Sequence, residues 1–555
     1  MPEAEVSMME APSEQAPTAA AMLGRLPPEI LQFFSNPGGH SLLIKGQAGT
    51  GKTTFALQLL ESLFGFERNF YLSSRVSDRT LLNQFPWLVE RERTERLLSA
   101  SRQFLSAIHG PEGAQHERDA EKADLRHAKV FLRELTVLKG APAPDVVDRT
   151  EFTRVGGMFD PQETPEGDGE EGPRDFSAYH SLMVDFDSDM PEIERAYERV
   201  ENGLPNQICV AIDSIEALAE KYGIPATRLV TMLQKDLVEN TNTHVVIVIE
   251  AEGPTALDYL VDGVVSLQFR KVAERQIREI AIQKMRGCVL TRPRYAFTLA
   301  GGRMTALLPA AADLAATAAR WEPVAPRAPA PLSSGSPDLD ELIGGGYGRG
   351  TVNLLEVGRG VPNDIVTLVG LNVAANFLSL GNAVFWLPTR DLTGPRVRAA
   401  MAETVDPAAV EANLRVVEIT SQPGREHPAW LLPAERDRIS DYLRWDMIRH
   451  LVKAGRPPAL HITSYDALES RHSRTTEDLS EHYASIKEQG NVDLSIVKSS
   501  VDVLGKVADF ATVHLRLESI DGTVVLMGEK PHTGVFHVGL PPRGHAPRLQ
   551  LTAVV

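Results

Sequence analysis

Short continuous apolar runs alternate with amphipathic stretches along much of this chain, which is how strands buried on both faces of a parallel sheet, covered by helices, are written. Ser41-Leu42-Leu43-Ile44-Lys45, Asn69-Phe70-Tyr71-Leu72-Ser73, Ile208-Cys209-Val210-Ala211-Ile212-Asp213-Ser214 and Val245 to Ile249 read as such strands. Thr54 to Phe64 and Pro225 to Glu239 read as helices between them, and Pro27-Pro28 opens a shorter one that ends at Phe34. Strand–helix alternation of this kind predicts a doubly wound α/β unit whose ligand sits beyond the strand C-termini. Two tracts break the pattern: Leu97 to Lys139 is helical and highly charged, and Asp160 to Arg174 is a Gly/Pro/Glu-rich loop. Together they predict an insertion at about 97–200 within a unit spanning 26–315, preceded by a disordered tail over 1–25.

A Pro/Ala-rich linker over 316–331, centred on Trp321 to Pro331, leads into a second unit, 332–555, where the chain repeats itself. Ala383-Val384-Phe385-Trp386-Leu387-Pro388-Thr389-Arg390 echoes the strand ending at Ser74-Arg75, and His461 to Leu468 echoes Ala211 to Leu218. A coincidence of weak matches is the alternative to duplication.

Gly46-Gln47-Ala48-Gly49-Thr50-Gly51-Lys52-Thr53, followed by Thr54, is a phosphate loop placed between strand and helix, where that chemistry requires it. Glycines let the backbone wrap a polyphosphate so that several N–H groups and a helix N-terminus point at it. Lys52 would reach the β- and γ-phosphates, the Thr53 hydroxyl would ligate Mg²⁺, and Asp213, ending its strand, would hold the metal's water shell. The expected cofactors are therefore ATP (or GTP) and Mg²⁺. A Gly-rich turn and a helix-capping acid are the plainer readings of the loop and of Asp213. In the second unit Asn363 takes the Lys position, Asp364 the Thr position and Thr463 the place of Asp213, so its nucleotide site is expected to be decayed.

Composition narrows the function classes. A net charge of −17 opposes a nonspecific nucleic-acid coat, which needs clustered Lys and Arg. No run approaches 18 apolar residues and the first 21 residues lack a signal-peptide pattern, so no membrane association is expected. Two cysteines, Cys209 and Cys288, in apolar surroundings imply packing roles and a reducing cytoplasm.

Ser336 to Gly350, Val261-Asp262-Gly263-Val264-Val265 and Lys284-Met285-Arg286-Gly287 resemble landmarks of the KaiC-like branch of the RecA-type ATPases, in which two such domains often lie in tandem. The resemblance covers roughly 30–90, 205–300 and 335–540. It implies an α/β fold with two tandem RecA/KaiC-like domains, mostly parallel central sheets and a homo-oligomer, with six subunits in a ring as the family-like number. It further implies that Lys284 and Arg286 act in trans on the neighbour's γ-phosphate; an exposed basic hairpin is the plainer reading. The second unit's Gly528-Glu529-Lys530-Pro531 keeps only the second of these cations. The family places a catalytic Glu after the second strand, where this chain has Ser73-Ser74-Arg75, so turnover is expected to be slow or absent. Glu250 is the candidate substitute, with a structural acid as the alternative. Arg75 is left between a phosphate contact and a contact to the acidic insertion.

Tyr71-Leu72-Ser73-Ser74-Arg75-Val76-Ser77 with Gln84-Phe85-Pro86-Trp87-Leu88 is similar to archaeal GvpD-type proteins, KaiC-like regulators of gas-vesicle genes that act through a protein partner. That resemblance implies an ATP-binding regulatory switch or slow ATPase acting on a protein such as a transcription factor. The runners-up are a DNA-associated recombination-type ATPase and a nucleotide-bound scaffold that does not hydrolyse.

Overall fold

The computed structural model describes residues 25–64, 69–74, 78–88, 190–309, 319–325, 331–420, 427–435, 456–469, 479–539, 546 and 548–555. The expected tail, Arg75, the charged tract 97–139 and the loop 160–174 lie outside them.

In the first half, α1 (Pro28–Ser35), β1 (Ser41–Gly46), α2 (Lys52–Phe64), β2 (Asn69–Ser73), α3 (Asp78–Gln84), α4 (Pro191–Gly203), β3 (Cys209–Asp213), α5 (Ile215–Tyr222), α6 (Ala226–Leu233) and β4 (His244–Ile249) precede a run of strands. Those are β5 (Gly263–Val272), β6 (Arg275–Met285), β7 (Arg294–Thr298) and β8 (Thr305–Ala306). They form one eight-stranded sheet in the order β2-β3-β4-β1-β5-β6-β7-β8. The first five strands of that order run parallel, and β6 to β8 add on antiparallel. The continuous apolar runs are the buried strands: every residue of β1, β2 and β4 is buried. Apolar clusters line both faces, one including Ile44, Phe55 and Leu60, the other Leu43, Val210 and Ile247.

Three expectations need correction. Residues 190–200, assigned to the insertion, begin α4, whose Ile193, Ala196 and Val200 belong to the core. The helix expected over Pro225 to Glu239 is α-helical only to Leu233; Gln234–Glu239 widens into a π turn. Within the wider turn Gln234 donates to Asp262 at 3.1 Å, and the buried Asp236 accepts from Tyr197 at 3.0 Å. Trp321, read as linker, packs into the second core and donates to Asn376 Oδ1 at 3.3 Å, since an indole buries more favourably than it solvates.

The second half runs α7 (Pro337–Leu342), β9 (Thr351–Val357), α8 (Asn363–Ser379), β10 (Asn382–Leu387), α9 (Gly394–Thr404), α10 (Pro407–Asn413), β11 (Leu414–Thr420) and β12 (Leu431–Glu435). It continues with β13 (Arg456–Ser464), α11 (Tyr465–Glu469), α12 (Leu479–Gln489), β14 (Val492–Lys498), α13 (Leu504–Phe510), β15 (Val513–Ile520), β16 (Thr523–Lys530), β17 (His532–Gly539) and β18 (Gln550–Ala553). Its ten strands are ordered β12-β11-β10-β13-β14-β9-β15-β16-β17-β18. With the two added edge strands β11 and β12 set aside, this is the first sheet's order strand for strand, β10 standing for β2, β13 for β3, β14 for β4 and β9 for β1. The fold is thus α/β with two tandem P-loop-type units and mostly parallel central sheets.

The halves meet along β6–β8 and β16–β18. Ile277, Ala296 and Leu307 pack with Ile520, Val525, Met527 and Val535 in one apolar cluster. Arg275, nearly buried, enters the β16–β17 turn: its Nε donates to Thr533 O at 2.7 Å, Nη2 to Gly528 O at 2.5 Å and Nη1 to Glu529 at 3.1 Å.

Candidate functional site: a phosphate loop and its metal-binding pair

Gly46 ends β1 beside β5 so closely that a Cβ there would stand 2.2 Å from Leu267 O. Only glycine allows the strand to turn into the loop at that point. Gly51 holds φ at +100°, in the region that favours glycine, and the Leu299 side chain closes over it. Thr50 braces the loop from within, its hydroxyl donating to Gln47 O at 2.8 Å. α2 then starts at Lys52 and directs its first-turn N–H groups into the loop.

Lys52 is buried, its ammonium donating to Gly46 O at 2.9 Å and Gln47 O at 2.8 Å, so the charge is held within the cradle. Thr53 donates to Asp213 Oδ2 at 2.6 Å, which brings together the hydroxyl and carboxylate that the sequence assigned to the metal. Hard oxygen donors of this kind suit Mg²⁺, which takes one or two protein ligands and completes its shell with phosphate oxygens and water. Among the described residues no three His, Cys, Asp or Glu side chains converge on a metal position, so a metal here would depend on the phosphates.

Four neighbours were not singled out as site residues from the sequence. Tyr71 donates to Asp213 Oδ2 at 2.9 Å; burial, then the adjacent Asp213 carboxylate, push its phenol pKa well up, keeping it a donor. Ser74 donates from its side chain to Asp213 O at 3.2 Å and accepts from Ser214 N at 2.9 Å, so directly after β2 a hydroxyl fixes the turn that carries Asp213. Arg278, on β6, brings Nη2 to 3.4 Å from Gly49 O, its guanidinium 5.3 Å from the Phe269 ring, and burial lowers its pKa. Glu252 accepts from Gln47 in the loop. Strand alternation could have flagged Tyr71; nothing in the sequence near Arg278 or Glu252 marked them.

Glu250 is exposed, directly follows β4, and donates its backbone N–H to Glu216 Oε2 at 2.8 Å. Ala48 lies exposed within the loop, and Thr54 is buried in α2. Lys284 and Arg286 lie elsewhere. Lys284 donates to Val261 O at 2.6 Å and Asp258 O at 3.0 Å, with burial, then Arg286, lowering its pKa. Arg286 is exposed and pairs with Asp262 at 3.1 Å. Burial would raise the Asp262 pKa, but hydrogen bonds from Gln234 and Ser41 and the charge of Arg286 hold it below the usual range. Ser41 begins β1 and Gly46 ends it, so the Asp262–Arg286 pair sits about 17 Å of strand away from the chain's own phosphate loop, while Lys284, in register with Leu43 through Val264, sits about 10 Å away.

In the second half β10 pairs Leu387 with Thr463 where β2 pairs Ser73 with Asp213, so register puts a threonine in the metal acid's place. Of the cysteines, Cys209 is fully buried, which pushes its thiol pKa up, while Cys288 is half-buried and receives a hydrogen bond from Asn36 at 3.2 Å. Among the described residues no helix is long and apolar enough to cross a membrane.

A family model described as GvpD gas vesicle protein, P-loop domain, matches residues 30–101 and 174–283. Protein GvpD2 of Halobacterium salinarum is 24% identical over 561 residues, covering 97% of this chain and 98% of the relative. Protein GvpD1 of the same organism is 23% identical over 605 residues with the same coverage. The matched segments contain the loop, the Thr53–Asp213 pair and Tyr71, and the relatives extend the likeness through both halves: the chain has a P-loop domain similar to that of GvpD proteins.

Proposed function

We propose that this chain is an ATP-binding regulator of the gas-vesicle system, a nucleotide switch or slow ATPase that acts on a protein partner such as a transcription factor. The observation that carries the reading is the Thr53–Asp213 hydrogen bond of 2.6 Å beside a loop that holds the Lys52 ammonium. Mg²⁺ bound there would neutralise phosphate charge; Lys52 and the α2 N-terminus would bind and orient the phosphates. The likeness to a family described as GvpD gas vesicle protein supports the setting, and the cytoplasm suits a chain with two unpaired cysteines. Equilibrium titration of the full chain with a fluorescent ATP analogue tests the core of this reading. Wild type should bind with Mg²⁺ dependence and Lys52→Ala should not; equal binding by both would overturn it.

A bound but barely hydrolysing state is favoured by Ser74, whose hydroxyl serves the Asp213 turn where a catalytic Glu would orient water. A positioned base contributes about 10²–10⁴-fold, so turnover without it would be slow. Glu250 is the proposed substitute: Glu250→Gln should lower any turnover, and unchanged phosphate release would remove it from the mechanism.

Arg286 stands by the start of β1, away from the loop of its own chain, and Lys284 is engaged by the carbonyls of Val261 and Asp258, which supports a role at a neighbour's site in a homo-oligomer. Mixing Arg286→Ala with Lys52→Ala subunits should restore part of the turnover. No recovery in verified mixed oligomers would sink the trans role.

A further inference from the structure

We propose that the groove at the start of α8 binds a small organic cation with an aliphatic body, of the primary-amine class. It has a volume of about 450 Å³, within the range of small-molecule sites. Leu371 and Val397, both buried, form its apolar floor between α8 and α9. Thr389 lines it from the end of β10, 5% exposed, with a hydroxyl that has no hydrogen-bond partner among the described residues. A buried hydroxyl left unpaired is costly, and a polar ligand atom seated on the floor would satisfy it.

The rim gives the sign of the charge. Asp364, Asp391 and Glu403 line the groove against a single guanidinium, Arg396. Asp391 is held in place by a hydrogen bond from Asn363, so at least one carboxylate is fixed over the mouth rather than waving in solvent. The same corner of the first half holds Lys52 and Thr53, which favour phosphate. Here the lysine is gone, and Asp364 in the first turn of α8 already answers the helix dipole. An incoming phosphate meets excess negative charge, whereas an ammonium meets carboxylates and its alkyl chain meets Leu371 and Val397.

The test is calorimetric titration of the full chain with 1,5-diaminopentane at fixed ionic strength, with 1,5-pentanediol as the uncharged arm. Saturable one-site binding of the diamine and none of the diol is expected. Asp391→Asn should weaken it about tenfold, the scale of one charge-assisted hydrogen bond. Thr389→Val, nearly isosteric and relieved of the unpaired hydroxyl, should fold at least as well and still bind more weakly. Glu341→Gln, an exposed acid outside the groove, should change nothing. Equal affinity in Asp391→Asn and Glu341→Gln would mean diffuse attraction to an acidic chain and would overturn the proposal, as would no saturable binding by wild type.

Discussion

The two halves share a strand order and differ where that order places chemistry. In the first, three side chains from three elements converge: Thr53 on α2, Asp213 on β3 and Tyr71 on β2, the last two in register-neighbouring strands. The second half answers them with Asp364, the second residue of α8 as Thr53 is of α2, and with Thr463 and Phe385, found by the matching strand registers. The acid has moved from a strand end to a helix start, the hydroxyl has moved the other way, and the phenol is gone. A carboxylate at a helix start stabilises the helix and repels phosphate, whereas one at the strand end faces the loop and holds a cation beside it. The sheet therefore carries the fold in both halves, while a handful of positions at its C-terminal edge decides what each can bind.

The largest expected effect breaks the comparison at the lysine. Lys52→Ala in the full chain should cost at least about 100-fold in triphosphate affinity, because it removes the one ammonium inside the cradle. Asn363→Ala, at the matching position, should cost nothing. A filter-binding or fluorescence titration in which the two variants behave alike would show that the halves are not specialised as described.

Acid should sharpen the comparison next, since each half buries a histidine in its sheet. Burial, then neighbouring His40, lowers His244 to about 4; burial, then His482, holds His461 well below its usual value. Both resist protonation when folded, while the unfolded chain takes up protons below about pH 6.5. Their contribution is thus complete above that pH and is lost as pH falls, for His244 by about 3 kcal/mol on reaching pH 4. Urea unfolding at pH 7 and pH 5 should show the loss, and His461→Phe should reduce the acid sensitivity of the second half. Identical pH dependence in that variant would exclude His461 as a source.

Much of this architecture is legible in the sequence because buried parallel strands leave continuous apolar runs, and Leu42 to Ile44 or Val245 to Ile249 admit few other readings. The loop is legible because its chemistry fixes glycine, lysine and hydroxyl at set spacings. Arg275 is not: a charged residue after a tight turn looks like a solvated hairpin tip, and only the β16–β17 turn of the other half makes it a buried one. Arg278 and Glu252 escaped for the same reason, since their contacts to the loop arise from sheet pairing hundreds of residues away. Trp321 misled by composition, its Pro/Ala-rich surroundings hiding a single large anchor.

A smaller effect probes the joint that holds the unequal halves together. Arg275→Met keeps most of the aliphatic packing but leaves the carbonyls of Gly528 and Thr533 without their donor, and Glu529, partly exposed, without its partner. The expected destabilisation is about 2 kcal/mol, discounted for that exposure. It should appear in calorimetry as two transitions separating where wild type shows more overlap. A single unshifted transition would mean that the apolar cluster alone couples the halves.

The smallest expected effect makes the first half more like the second by one atom. Tyr71→Phe reproduces Phe385 and deletes the phenol that donates to Asp213 Oδ2 at 2.9 Å. Burial and the neighbouring carboxylate keep that phenol protonated, so across ordinary pH it acts only as a donor that restrains the carboxylate. Without it, Asp213 keeps its bond from Thr53 but gains freedom to rotate, and the pair is less well prepared for a metal. Losing one such orienting hydrogen bond costs about 1 kcal/mol, or about fivefold. The fivefold loss should fall on the Mg²⁺ dependence of nucleotide binding, with metal-free affinity unchanged, because Lys52 and the loop are untouched. Equal losses with and without Mg²⁺ would assign Tyr71 to packing alone and leave Thr53 and Asp213 as the whole of the metal-site difference between the halves.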